Sequence, residues 1–217
     1  MDTLLIKGGR RLNGTIAISG MKNAALPILF ACALSSEPCI LHNVPEVSDV
    51  ETTLHILAAA GCSVTRLSPT TVEINGAGFR AGASPAAAVS TIRASSYLMG
   101  VELGRFGFTK IAFPGGCKFG VARPLDYHTR AFEIMGAEME VSGQGFYGEA
   151  PEGLREGKIT LPFSSRPRSG FRMNIAVSKG LFRSHFTITT LFRNPFIIPF
   201  LSNIKIFLKL IIDKKTP

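Results

Sequence analysis

The 217-residue sequence predicts an α/β fold assembled from repeated helix-and-sheet units, and three observations carry that expectation. Strand-like and helical segments alternate through most of the chain. A helix end, a glycine and a strand follow one another at Gly61 and again, 75 residues later, at Gly136. Apolar residues make up 46% and charged residues 18%, which supplies a core and argues against extensive disorder.

The elements follow in order. Residues 3–6 and 15–19 read as short strands, with turns at Gly8-Gly9 and Asn13-Gly14. Residues 21–34 are apolar and Ala-rich and read as a buried helix. Pro27 is placed near its first turn, where a missing N–H costs little. Residues 39–44 are strand-like. Ser48 with Glu51 three residues on has the capping-box spacing, so Ser48 is expected to cap a helix that runs to about Ala60 and stops at Gly61. Residues 63–67 and 71–75 form a hairpin around Ser68-Pro69. Residues 86–103 read as one helix ending at Gly104, with Arg93 near its start. Residues 110–113 form a strand that Pro114-Gly115-Gly116 breaks. A loop follows to about Pro124, and then a helix to Met135. The junctions at Gly61 and Gly136 fit a repeat of domain size. Taken alone, they fit two ordinary helix-to-strand connections with a glycine cap equally well.

Charge is uneven. Residues 1–157 carry 13 Lys and Arg against 14 Asp and Glu, whereas residues 158–217 carry 11 against 1. The net +9 therefore sits in the tail, and the body offers no basic face for a nucleic acid. Within the tail, residues 196–212 are apolar but interrupted by Pro199, Asn203, Lys205 and Lys209. That is too short and too charged for a spanning helix, and a membrane-surface helix is the minor alternative. No secretory signal opens the chain, and a cytoplasmic location is expected. The cysteines are Cys32, Cys39, Cys62 and Cys117. None form a CxxC pair, so no metal site is expected, and the first three read as buried free thiols.

Two segments combine residue types that bear chemistry. Ser19-Gly20-Met21-Lys22-Asn23 sets a cation and an amide at a helix start, where backbone N–H groups and the helix dipole favour a phosphate or carboxylate. Position alone favours a solvated lysine on a surface helix. Cys117 follows two glycines and stands beside Lys118 and near Arg123, the electropositive loop setting that makes a thiol reactive. An incidental loop cysteine is the plainer reading. Asp126 and His128 suit polar contacts to a ligand, or helix capping.

These segments resemble the UDP-N-acetylglucosamine 1-carboxyvinyltransferase family. The similarity rests on Ser19-Gly20-Met21-Lys22-Asn23-Ala24-Ala25, Asn43-Val44-Pro45 with Asp49-Val50, Ile92-Arg93-Ala94-Ser95, Pro114-Gly115-Gly116-Cys117, and Arg123-Pro124-Leu125-Asp126-Tyr127-His128, in the family order. The shikimate-pathway relative shares the fold but is expected to open differently and to lack the Gly-Gly-Cys loop. The resemblance implies an inside-out α/β barrel with the helices inside, here incomplete, and an active site between two domains. It implies transfer of an enolpyruvyl group from phosphoenolpyruvate to the 3-hydroxyl of UDP-N-acetylglucosamine with release of phosphate, the first committed step of peptidoglycan synthesis. Cys117 would be the general acid, its ordinary thiol pKa of ~8.5 being suited to that role, and would form an adduct with phosphoenolpyruvate. Lys22 and Asn23 would hold phosphoenolpyruvate. Arg93, Arg123, Pro124, Leu125, Asp126 and Tyr127 would contact UDP-N-acetylglucosamine. No metal or organic cofactor is implied.

The sequence departs from that pattern in two places. Cys117 and Arg123 are six residues apart, one more than the family spacing. After about residue 165 the pattern changes to Arg166-Pro167-Arg168-Ser169-Gly170 and the basic tail. The expected organisation is therefore residues 1–20 as strands that pack with a second domain, 21–165 as an incomplete first domain, and 166–217 as a divergent tail. A frameshift would account for the change, and the coding DNA read in all three frames tests it. On this reading the chain is expected to be inactive alone. Its alternatives are a non-catalytic sugar-nucleotide or phosphate-binding fragment, or a membrane-surface protein.

Overall fold

The structure, a computed structural model, describes residues 3, 5–9, 11, 13–116 and 125–157. Five α-helices and six strands occur among them. They are α1 (Lys22–Cys32), β1 (Cys39–Leu41), α2 (Ser48–Ala59), β2 (Ser63–Ser68), β3 (Thr71–Asn75), α3 (Ala86–Val89), α4 (Tyr97–Phe106), β4 (Phe108–Ala112), α5 (Asp126–Ile134), β5 (Glu138–Ser142) and β6 (Gly145–Glu149), with a 3-10 turn at Arg93–Ser96.

The strands form two antiparallel three-stranded sheets, ordered β1-β3-β2 and β4-β6-β5. The same path, helix, strand, helix, strand, strand, is thus traced twice: α1 to β3, then α4 to β6. Gly61 and Gly136 hold equivalent places in it. Each follows a helix with φ of 106° and 93°, a conformation that favours glycine, and each leads directly into a strand. The domain-sized repeat is the correct reading of the two junctions.

Period-two alternation sets the face of each sheet. Val72 and Ile74 of β3 are fully buried, flanked in register by Leu41 and Cys39 of β1. Ile111 and Thr109 of β4 stand opposite Phe146 and Gly148 of β6 and point the same way, inward. The helices lie between: α1 packs on β3 and on α4, and α4 packs on β4 and β6. Leu29 and Phe30 of α1 and Leu98, Met99 and Leu103 of α4 are almost wholly buried, and one continuous core runs from Leu26 to Leu154. Meanwhile β2 and β5 turn most of their residues to solvent. Sheets outside and helices inside is the expected inside-out arrangement.

Five local expectations need correction. Residues 86–103 are not one helix. Ser90 and Thr91 turn their hydroxyls onto the carbonyls of Ala87 and Ala88. Ser95 then bonds the carbonyls of Val89 and Ile92, so the chain breaks into α3, the 3-10 turn and α4. The helix ends at left-handed Gly107, not at Gly104. Ser48 is the first helical residue, with Val47 at the cap position and no side-chain capping bond, and Glu51 pairs with Arg66 instead of closing a capping box. Pro27 lies mid-helix rather than in the first turn. Residues 3–6 and 15–19 form no strand among the described residues. Leu5, Ile6, Ile16 and Ile18 are 77–89% exposed, and a strand needs a neighbour to satisfy its ladder. No helix among the described residues is long and apolar enough to cross a membrane. The tail expectations, residues 158–217, lie outside the described residues.

Arg105 fastens the first unit. Its Nη1 donates to the carbonyls of Ala33, at the end of α1, and Gly76, just past β3, both at 2.6 Å. Both carbonyls belong to buried residues, and charged donors contribute more than neutral ones. Arg105→Ala is expected to cost about 2–3 kcal/mol in urea unfolding, with Arg105→Lys intermediate because an ammonium lacks the planar fork.

Candidate active site

Local sequence brings the family-like segments together in two groups. The first is built at the start of α1. The Gly20 N–H donates to Asn43 Oδ1 at 3.1 Å, and Asn43 itself adopts φ of 56°. Any Cβ on Gly20 would fall 1.9 Å from the Asn43 carbonyl oxygen, so only glycine permits this approach. Two residues on, Lys22 Nζ lies 2.7 Å from Asp49 Oδ2 in the first turn of α2. Lys22 is therefore an anchored cation, still 46% exposed, rather than a solvated one. Asn23 is exposed beside it. The first turn of α1 holds no acidic residue and no side-chain cap. Its positive end is left to Lys22 and the backbone, which suits an anion.

The second group surrounds Arg93. Gly115 rests on the backbone beyond α3: its N–H donates to the Val89 carbonyl at 3.4 Å, and a Cβ there would fall 1.6 Å from the Ser90 oxygen. Gly116 follows with φ of 113°, and a Cβ there would meet Arg93 Cβ at 3.2 Å. The glycine pair thus lays the start of the Cys-bearing loop over Arg93. His128 on α5 feels the Arg93 charge. Its imidazole is held below its ordinary range, first because protein crowds out water and then because Arg93 is positive, with Asp126 partly offsetting both. Leu125 is buried at the head of α5, while Asp126 and Tyr127 are exposed on its first turn. Cys117, Arg123 and Pro124 lie outside the described residues.

The arrangement offers a paired lysine, an arginine whose backbone and Cβ meet Gly116, and an imidazole whose pKa that arginine helps to lower. Such groups bind and polarise anionic substrates. Asp49 and Asn43 as organisers of the first group were not singled out from sequence, although both stand in segments that were quoted. Their signal is spatial: Lys22 and Asp49 are 27 residues apart. No group of three or more His, Cys, Asp or Glu side chains among the described residues is arranged to hold a metal ion.

The model of the family described as EPSP synthase (3-phosphoshikimate 1-carboxyvinyltransferase) matches residues 6–198. A UDP-N-acetylglucosamine 1-carboxyvinyltransferase of Saccharophagus degradans is 44% identical over 161 residues, covering 74% of this chain and 38% of that protein. One from Gluconobacter oxydans is 36% identical over 195 residues, covering 90% of this chain and 46% of its own length. The chain thus spans less than half the length of these relatives. The crystal structure of the enolpyruvyl transferase NikO from Streptomyces tendae superposes with a TM-score of 0.56 at 21% identity, over 68% of this chain and 32% of that one, which supports the fold. By its matched length, its doubled sheet-and-helix unit and its named relatives, the chain belongs to the EPSP synthase family of enolpyruvyl transferases.

Proposed function

We propose that this chain carries part of the substrate site of an enzyme that transfers an enolpyruvyl group from phosphoenolpyruvate to the 3-hydroxyl of UDP-N-acetylglucosamine, releasing phosphate, in cytoplasmic peptidoglycan synthesis. The observation that carries the reading is the seating of Gly115 and Gly116 on the backbone of Ser90 and against the backbone and Cβ of Arg93, just before Cys117 in the sequence. The relatives' printed names supply the substrate.

In this reading Lys22, held by Asp49, and Asn23 receive the charged end of phosphoenolpyruvate. Arg93 and the stretch Arg123, Pro124, Leu125, Asp126 and Tyr127 receive UDP-N-acetylglucosamine. Cys117 protonates the phosphoenolpyruvate methylene, the sugar hydroxyl adds to the neighbouring carbon, and elimination then expels phosphate. Fixed positive groups stabilise the charge that develops. Because the relatives extend well beyond the matched span, these 217 residues alone are inferred to turn over little substrate.

The test is to incubate the chain with UDP-N-acetylglucosamine and fosfomycin, then map thiol adducts by mass spectrometry and assay phosphate release. Modification confined to Cys117, with phosphate release near background, is the expected result. Equal labelling of all four cysteines, or none at a Cys117 that iodoacetamide still alkylates, would count against the site. Turnover at the rate of a full-length relative would overturn the inferred inactivity.

A further inference from the structure

We propose that Asn43 is the positioning residue for Lys22: from the loop between β1 and α2 it grips Gly20, and so fixes the start of α1 and the amine that α1 carries. Asn43 acts through Lys22, so its role rests on the reading of Lys22 as a contact to phosphoenolpyruvate. The start of α1 has no fastening of its own. Met21 holds the cap position in an extended conformation, no side chain caps the first turn, and that turn carries no acidic residue. Its direction has to be set from outside the helix. One short segment, residues 43–49, sets it. Asn43 Oδ1 accepts from the Gly20 N–H at 3.1 Å, and Asp49 Oδ2 accepts from Lys22 Nζ at 2.7 Å.

Asn43 is itself held from both sides. Leu41 before it and Val44 and Pro45 after it are buried. The Val44 N–H donates to the Thr70 carbonyl at 2.9 Å, in the turn between β2 and β3. Among the described residues Asn43 is the only one other than glycine with a positive φ, at 56°. A glycine would adopt that conformation without strain. What asparagine adds is the Oδ1 acceptor, on a side chain that tolerates the left-handed region better than most. The backbone closes on Gly20 as well: an added Cβ there would fall 1.9 Å from the Asn43 carbonyl oxygen and 3.3 Å from Pro45 Cδ.

This grip serves position more than stability. Asn43 is exposed, so its hydrogen bond contributes little to the core. Gly20, however, is two residues from Lys22, and a displacement of about 1 Å at a binding group is enough to weaken what it does. Without the Asn43 acceptor, Asp49 alone must hold the lysine, from a helix start free to shift.

The experiment acetylates the folded full chain briefly and maps the rate at each lysine by mass spectrometry. Wild type is compared with Asn43→Gly, Asn43→Asp and Asp49→Asn, with Lys110 on β4 as internal reference and urea unfolding of each variant. Asp49→Asn releases the amine and sets the upper rate. Asn43→Gly keeps the backbone conformation and removes the acceptor; Lys22 should then react about fivefold faster relative to Lys110, with stability little changed. Asn43→Asp keeps an acceptor and should restore the rate to within about twofold of wild type. A wild-type Lys22 rate in Asn43→Gly, or a rise that Lys110 shares, would overturn the proposal. Should Asn43→Gly fail to fold, amide exchange in the wild type decides: corrected for intrinsic rates, the Gly20 N–H should exchange about fivefold slower than that of Ser19, and equal exchange refutes the grip. A parallel series adds phosphoenolpyruvate with UDP-N-acetylglucosamine. Protection of wild-type Lys22 supports its substrate role; no protection overturns that role, while the ligand-free rates still decide whether Asn43 positions the amine.

Discussion

Replacing Glu102 by Gln is expected to cost about 3 kcal/mol of stability and to lower the melting temperature by roughly 6–12 °C. Glu102 lies on α4 and is fully buried. One carboxyl oxygen accepts from the Gly82 N–H at 2.9 Å; the other accepts from the Thr109 hydroxyl at 2.7 Å and the Lys110 N–H at 3.1 Å. All three partners are donors, which matches a group that only accepts. A glutamine turns its NH2 toward Gly82 in one orientation and toward Lys110 in the other, so one backbone donor always loses its partner. The loop at Gly82, helix α4 and strand β4 are then no longer tied together.

The pH dependence has a definite sign. Burial raises the Glu102 pKa above its unfolded value, against the lowering effect of its three hydrogen bonds. The native state therefore binds this proton more tightly than the unfolded state. The group's contribution is fully present below the unfolded pKa and is lost as pH rises through the folded one. Glutamine does not titrate, so the wild-type advantage should widen as urea unfolding is repeated from pH 7 down to pH 5. A gap that narrows on acidification would show that the hydrogen bonds, not burial, dominate this carboxylate.

Gly115→Ala is expected to slow fosfomycin labelling of Cys117 by about 100-fold, while unfolding free energy changes much less than in the Glu102 variant. The new methyl would be placed 1.6 Å from the Ser90 oxygen and 2.3 Å from its carbonyl carbon, both backbone atoms that no rotamer change can move. The loop must lift off residues 89–93, and with it the approach to Arg93. Only the loop is displaced, so the core between the sheets keeps its contacts. Labelling rates of wild type and variant, each checked by urea unfolding, decide the matter. An unchanged rate would mean that the seating of Gly115 does not govern the thiol.

Much of this architecture was legible because it is local. The turn residues Ser68-Pro69 between two short runs marked the hairpin of β2 and β3, and the glycines at 61 and 136 marked two helix ends whose φ values favour that residue. The break inside residues 86–103 was not legible. Ser90, Thr91 and Ser95 read as acceptable helix residues until their hydroxyls are seen to take backbone carbonyls. The apolar alternation of Ile16 and Ile18 read as a strand, but a strand exists only where another strand meets it.

By itself, then, the sequence determined the type of most elements and the order of the family-like segments, since each depends on residues within a turn or two of one another; it left the repeat open. Only the tertiary structure decided what meets what. Lys22 finds Asp49 across 27 residues, and Arg105 bonds Ala33 across 72. Glu102 gathers Gly82, and Gly115 settles on Ser90. These pairings arise because two sheets close over one layer of helices, and burial then forces each polar group to find a partner among whatever residues the packing brings near.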